Sequence, residues 1–203
     1  MNLCHSWICR SDSWRKALER RIPWVLDGVD VGPELLEVGP GPGLTTEALL
    51  ARFERLTAIE IDPVAADRLR SRLRTANVEV ISGDAASMPI PDQRFSGVVM
   101  FTMLHHVHSP ELQDQVLREV WRVLKPGGAF AGSDSLTSTL MKLIHIGDTL
   151  VPVNPDTFGS RLEAAGFQVL RVEKNGRSFR FHAQRPGNQT PGRPTPPTGA
   201  IVA

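Results

Sequence analysis

The sequence predicts an α/β fold: a mostly parallel sheet with helices packed on it and an antiparallel pair of strands at its C-terminal end. Three observations carry that prediction. Apolar runs of strand length alternate with helical stretches from about residue 34 to residue 165. One of those strands, Leu35-Leu36-Glu37-Val38, breaks into glycines at alternate positions, Gly39, Gly41 and Gly43, and then into the helical stretch Leu44–Leu50. Two final runs, Phe167–Val172 and Ser178–Ala183, flank Asn175-Gly176, a dipeptide suited to a hairpin turn.

Length and charge bound the rest. A chain of 203 residues with 41% hydrophobic content can bury one substantial core but not two. Basic and acidic residues number 23 and 22, so no global field draws the chain onto nucleic acid, and a small-molecule partner is expected instead. Cys4 and Cys9, with His5, supply neither a disulfide framework nor four zinc ligands, and the sequence assigns no metal. No segment approaches the roughly 20 apolar residues of a membrane-spanning helix, so a cytoplasmic protein without membrane insertion is expected.

Taken in order, residues 1–31 form an N-terminal helical segment, with a helix from about Ser13 that carries Trp14, Leu18 and Ile22 on one side. The first strand spans 34–38, and a helix follows over 43–52. A second strand from Leu56 ends in Glu60-Ile61-Asp62, where Asp62 caps a helix that begins at Pro63 and runs to about Thr75. Asn77–Ile81 alternates as a third strand and leads into Gly83-Asp84-Ala85. The near-continuous apolar run Ser96–Phe101 has the pattern of a central strand buried on both faces, and it opens into Thr102-Met103-Leu104-His105-His106. Ser109-Pro110 starts the next helix, Lys125-Pro126-Gly127-Gly128 closes it, and a fifth strand covers 128–133. The stretch 135–155 breaks the alternation, with a short helix expected from Ser135 to Ile146. A further helix at about 155–165 ends at Gly166. Residues 32–185 form the main domain, and the Pro/Gly/Thr-rich stretch 186–203 is expected to be a disordered tail.

The three glycines without Cβ atoms let a ligand approach the backbone, and the helix start beyond them offers N–H groups to negative charge. The dinucleotide fingerprint would need a glycine at Leu44. The spacing here, Glu37-x-Gly39-x-Gly41-x-Gly43, instead resembles motif I of the class I S-adenosylmethionine-dependent methyltransferases. With the terminal acid Glu60, Gly83-Asp84-Ala85 and Lys125-Pro126-Gly127-Gly128, the resemblance extends over residues 32–184. It implies a Rossmann-like, seven-stranded, mostly parallel sheet with an antiparallel C-terminal hairpin and helices on both faces. It also implies S-adenosyl-L-methionine as cofactor and S-adenosyl-L-homocysteine as product.

Carried over by that resemblance, Gly39, Gly41, Gly43 and Thr45 hold the methionine moiety and Glu37 faces its amino group. Glu60 holds the ribose, with Ile61 beside it, while Asp84 and Ala85 read adenine, helped by Met88 and Pro89. Phe101 ends the fourth strand at the cofactor. A carboxylate suits each of its two sites because it only accepts hydrogen bonds when ionised. The Leu104-His105-His106 segment resembles that of small-molecule methyltransferases of the quinone-biosynthesis type. His106 or His105 is the candidate base, since imidazole titrates near neutrality. Trp7 and Trp14 are lid candidates by the same resemblance. The expected reaction is in-line methyl transfer to a small phenol, quinol or amine. Two alternatives stand beside it: a lipid or quinone methyltransferase working at a membrane surface, and a cofactor-binding module that is catalytically idle.

Overall fold

The computed structural model describes residues 12–74 and 77–187. Trp7, the cysteines and residues 188–203 of the tail lie outside them, and the helix expected to run to about Thr75 ends at Arg72. Helix α1 (Asp12–Leu26) precedes an alternation of β1 (Leu35–Val38), α2 (Leu44–Leu50), β2 (Leu56–Glu60), α3 (Pro63–Arg72), β3 (Val78–Ser82) and β4 (Phe95–Phe101). A 3-10 turn (Leu104–His106), α4 (Pro110–Val123), β5 (Leu124–Ser135), α5 (Thr139–Ile144), α6 (Pro155–Ala164), β6 (Gln168–Asn175) and β7 (Ser178–Gln184) complete the order. The sheet runs β3-β2-β1-β4-β5-β7-β6. Strands β1 to β5 are mutually parallel, and β7 pairs antiparallel with both β5 and β6.

Alternation along the strands sends side chains into two layers. Leu36, Val38, Val98, Met100 and Phe130 face α4 and α6, where Val116, Val120, Phe158 and Leu162 complete the larger core. Leu35, Val99, Ala129 and Ala131 face α1 and α2, through Ile22, Val25 and Leu49. Ala58 and Val80 take Ala66 and Leu69 of α3. Helices therefore cover both faces, which explains why the central strands carry so little polar alternation.

The expected caps form. Asp62 accepts from the N–H groups of Val64 and Ala65, and Ser109 accepts from that of Leu112, each followed by proline at the first helical position. The main differences from expectation lie elsewhere. Strand β5 runs through Ser135, so the helix expected from that residue is cut to α5. The hairpin turn is Gly176-Arg177 rather than Asn175-Gly176, because Asn175 still pairs with Ser178. Gly176 alone takes positive φ (58°) there, as a two-residue turn with glycine in first place requires.

Helix α1 is part of this core rather than a segment beside it. Leu18, Ile22 and Val25 are buried, the Val25 carbonyl lies 2.5 Å from His182 Nε2 of β7, and Arg180 of β7 donates to the Trp24 carbonyl. No helix among the described residues is long and apolar enough to cross a membrane.

Candidate active site

The sequence-derived residues lie at or just beyond the carboxyl ends of the parallel strands, the edge at which open α/β sheets bind ligands where strand order reverses. That point lies between β1 and β4.

The glycine loop leaves β1 with three positive-φ residues: Gly39 (68°), Gly41 (52°) and Gly43 (81°). They differ in what a side chain would meet. A Cβ at Gly39 would strike Met103 Cγ at 2.2 Å, and one at Gly43 would strike Leu69 Cδ1 of α3 at 2.3 Å. A Cβ at Gly41 would meet nothing within 4 Å. Gly43 is thus required for seating the loop on α3, while Gly41 borders open space.

Glu37 is buried at the end of β1 and accepts from both Thr45 Oγ1 and Thr46 Oγ1, the latter at 2.7 Å. Burial pushes its carboxyl up to about 7, against the two hydroxyl bonds that favour the charged form. Glu60 accepts from the backbone N–H of Gly41 at 2.9 Å through one oxygen and from that of Asp62 at 3.1 Å through the other. Each oxygen keeps a lone pair for a further donor. Ile61, next to it, is 64% exposed, an apolar side chain turned outward at the end of β2. Asp84 is exposed and spends Oδ1 on the N–H of Ala86 (2.8 Å), which fixes the turn and leaves Oδ2 outward-capable.

Two of the expected neighbours are buried: Phe101 in the layer with Ile22, Leu35 and Val99, and Met88 in the layer with Ile90 and Val116. The cause at Met88 is a clamp from α4: Glu119 accepts from the Met88 N–H (2.7 Å), while Arg122 donates to the carbonyls of Met88 (3.0 Å) and Ile90 (2.7 Å).

Beyond β4 the chain turns sharply at Thr102, a β-branched residue at φ 48°. A branched side chain rarely occupies this region, and such strain gathers where structure around it fixes a functional turn. The turn presents His105 and His106 side by side, ring centroids 4.1 Å apart. His105 is buried. Its Nδ1 lies 2.5 Å from Asp134 Oδ1 on β5, and its backbone N–H donates to Asp134 Oδ2 at 3.2 Å. Asp134 also accepts from the Ser135 N–H (2.6 Å), and the Arg21 guanidinium of α1 interacts with its charge. Gln113 of α4, wholly buried, donates to the carbonyls of Leu104 (3.0 Å) and Val151 (2.9 Å), tying the turn to the 145–154 loop. His145, which ends α5, completes a group of rings at 5.2 Å from His105 and 5.1 Å from His106.

Asp134, His145, Gln113 and Thr46 were not identified from the sequence. Asp134 had a signal, an acid at the end of an apolar strand. His145 had none, since only the fold of the insert brings it to a turn some 40 positions earlier.

These donors and acceptors suit S-adenosylmethionine: an open glycine backbone, a buried carboxylate, a strand-end glutamate with lone pairs left, an outward isoleucine and an acceptor at Asp84. Residues 36–132 match the family described as a methyltransferase domain. The ubiquinone biosynthesis O-methyltransferase of Pseudomonas fluorescens is 31% identical over 194 residues, covering 84% of this chain and 81% of that protein. The 24-methylenesterol C-methyltransferase 2 of Oryza sativa is 32% identical over 157 residues, 69% of this chain, and the match spans only 42% of that protein. Among solved structures, a protein of Pyrococcus horikoshii shares the fold with a TM-score of 0.73 at 22% identity, over 87% of this chain and 93% of that one. PigF with bound S-adenosylhomocysteine gives 0.64 at 20% identity, over 85% and 58%. The chain belongs to the class I S-adenosylmethionine-dependent methyltransferases.

Proposed function

We propose that the acceptor is a small molecule methylated on oxygen, a phenol or quinol, and that His105 is the base. The observation that carries this reading is the buried His105–Asp134 pair. A carboxylate on Nδ1 keeps that nitrogen protonated, orients the ring and leaves Nε2 as the proton-accepting atom. A hydroxyl acceptor must lose a proton to become a strong nucleophile, whereas a neutral amine attacks without doing so. The likeness to a ubiquinone biosynthesis O-methyltransferase supports the same choice.

The cofactor, when bound, supplies an already activated methyl group. What this chain contributes is alignment and exclusion of water. In this reading Glu37, held by Thr45 and Thr46, takes the amino group. Gly39 and Gly41 let the backbone approach, Glu60 accepts from the ribose hydroxyls, and Asp84 and the Ala85 N–H take adenine. His105, the candidate that is the more buried of the pair, accepts the proton, and His106 lines the entrance.

The test is calorimetric titration with S-adenosylhomocysteine and with NADH, followed by a screen of phenols, quinols and amines. Binding of the first ligand alone, with turnover on hydroxyl acceptors that collapses in His105→Ala while S-adenosylhomocysteine affinity holds, is the expected result. Turnover on amines only, or unchanged turnover in His105→Ala, refutes the assignment. Leu143 (58% exposed) and Ile146 (68% exposed) flank His145, and they favour a second reading in which an apolar acceptor is taken from a membrane surface. Co-sedimentation with liposomes, abolished by Leu143→Ser/Ile146→Ser, distinguishes it.

A further inference from the structure

We propose that His105, His106 and His145 together bind one divalent transition-metal cation at the acceptor end of the sheet's carboxyl edge. One ligand nitrogen from each of the three residues lies within 4.8 Å of the others. They come from two separate pieces of chain, the turn after β4 and the end of α5, so the grouping is a product of the tertiary fold and not of adjacent sequence alone.

The hydrogen bonds behind the rings are those a metal site needs. Asp134 Oδ1 lies on Nδ1 of His105 at 2.5 Å, and the Met141 carbonyl lies on Nδ1 of His145 at 2.7 Å. A carbonyl can only accept, so His145 Nδ1 carries the proton, and in the neutral ring Nε2 carries the lone pair. The ionised carboxylate does the same for His105. Carboxylate or carbonyl on one nitrogen and metal on the other is the usual arrangement around ligating histidines, because it fixes the tautomer and raises ligand basicity. His106, only partly buried, gives the ion a way in from solvent.

Ligand chemistry sets the ion. Three imidazoles suit zinc, copper, iron or nickel and do not suit magnesium or calcium, which prefer oxygen. Tetrahedral zinc with bonds of 2.0–2.1 Å holds its nitrogens about 3.3 Å apart, so the rings close by roughly an ångström and a half around the ion. Three protein ligands leave a fourth position open, the pattern of a catalytic rather than a structural site.

The ion's role, unlike its binding, rests on the reading of this end as the acceptor site. A hydroxyl acceptor in the open position gives its proton to water, and the oxygen keeps the electron pair of the broken O–H bond as a metal-held oxyanion. In the metal-free protein Nε2 of His105 takes that proton itself, as proposed above; with the ion bound the same nitrogen is a ligand and the cation activates the hydroxyl. The ion also fastens α5, and with it the insert, to the end of β4.

The experiment is a Co²⁺ titration of the metal-stripped full-length protein followed by visible absorption, in a Cys4→Ser/Cys9→Ser background that removes the thiols. We expect one equivalent bound, with the intense d–d bands of a four- or five-coordinate site. His106→Ala and His145→Ala should each weaken binding on the order of 100-fold or more, and Asp134→Asn by about 10- to 100-fold. S-adenosylhomocysteine titration of the same samples reports whether each variant has folded. Should His145→Ala lose that binding as well, His106→Ala, at the partly exposed ring, decides the matter. Co²⁺ affinity equal in parent and folded variants, or no d–d band at millimolar Co²⁺, overturns the proposal. Cobalt binding without S-adenosylhomocysteine binding would leave the metal site standing and bring down the cofactor roles assigned above.

Discussion

The carboxyl edge of the sheet has two halves built on different principles. Its proposed cofactor half, from β1 to β3, is held by a glycine loop and by one acid near each strand end, whose bonds span 2 to 19 positions of chain. Glu60 secures Gly41 and Asp62, and Asp84 secures Ala86. Its proposed acceptor half, beyond β4 and β5, depends on side-chain bonds that span 29 and 38 positions. His105 leans on Asp134, and Gln113 bridges Leu104 to Val151. A recurring ligand can be met by a recurring local motif. A particular acceptor needs contacts assembled by the fold, and this is where members of one family diverge.

If the halves are separable, the largest effect is confined to one of them. Replacing His105 or Asp134 by alanine should lower turnover on the order of 10²- to 10⁴-fold, the usual contribution of a positioned base. S-adenosylhomocysteine affinity should move less than about threefold, since the cofactor residues share no hydrogen bond with the pair. Steady-state kinetics beside calorimetry would check this. Parallel losses in both quantities would mean that the two halves act as one unit.

The next effect belongs to the cofactor half and concerns pH. Glu37 is raised from 4.5 to about 7 by burial, so between those values the folded protein holds a proton that the unfolded chain has released. Stability from this group is therefore complete below about 4.5 and is lost as pH rises through 7, by on the order of 3 kcal/mol. Chemical denaturation from pH 4 to 8 should show that slope, and Glu37→Gln should flatten it. If Glu37 also takes the ligand's ammonium, binding near pH 7 expels the proton. The calorimetric enthalpy then varies with the ionisation enthalpy of the buffer in the parent but not in Glu37→Gln.

The same division explains what could be read from the sequence. The seven strands, their order of appearance and the caps at Asp62 and Ser109 rest on spacings within a dozen positions, and local pattern reports these well. The proposed cofactor residues came instead from the resemblance of several separate motifs. Phe101 and Met88 were carried to the cofactor by resemblance alone. The layer each side chain is buried in, under α1 for Phe101 and under α4 for Met88, is decided by packing that no local spacing reports. His145 lay beyond reach for a further reason. The insert has no clear periodicity, and its approach to His105 depends on the Gln113 bridge and on the Val151 N–H donating to the His105 carbonyl at 2.8 Å.

A smaller loss is expected at Glu60, because Glu60→Ala removes a carboxylate that serves both the loop and the proposed ribose site. Charge-assisted hydrogen bonds contribute about 1.5–3 kcal/mol each, so S-adenosylhomocysteine affinity should fall at least tenfold. Turnover at saturating cofactor should stay near that of the parent, the reverse of the His105 pattern. An unchanged affinity would reassign Glu60 to holding the loop alone.

The smallest effect on stability is expected at Gly41, and it sharpens the contrast inside a single motif. Gly41→Ala places a methyl where no atom lies within 4 Å, so its cost is the left-handed φ of 52°, about 1–2 kcal/mol. Gly43→Ala carries the same backbone cost and in addition drives its methyl into Leu69 and Arg72. Thermal melts should therefore rank Gly43→Ala as the less stable variant. Cofactor affinity should behave differently, because the open space beside Gly41 is where the proposed ligand approaches the backbone. At that position a methyl costs little in the free protein and meets the ligand directly. A Gly41→Ala variant that melts near the parent and yet binds S-adenosylhomocysteine weakly would separate the ligand-facing glycine from the one that packs on α3. Equal affinity in the two proteins would move the ligand away from Gly41 and leave the loop's geometry to the helix beneath it.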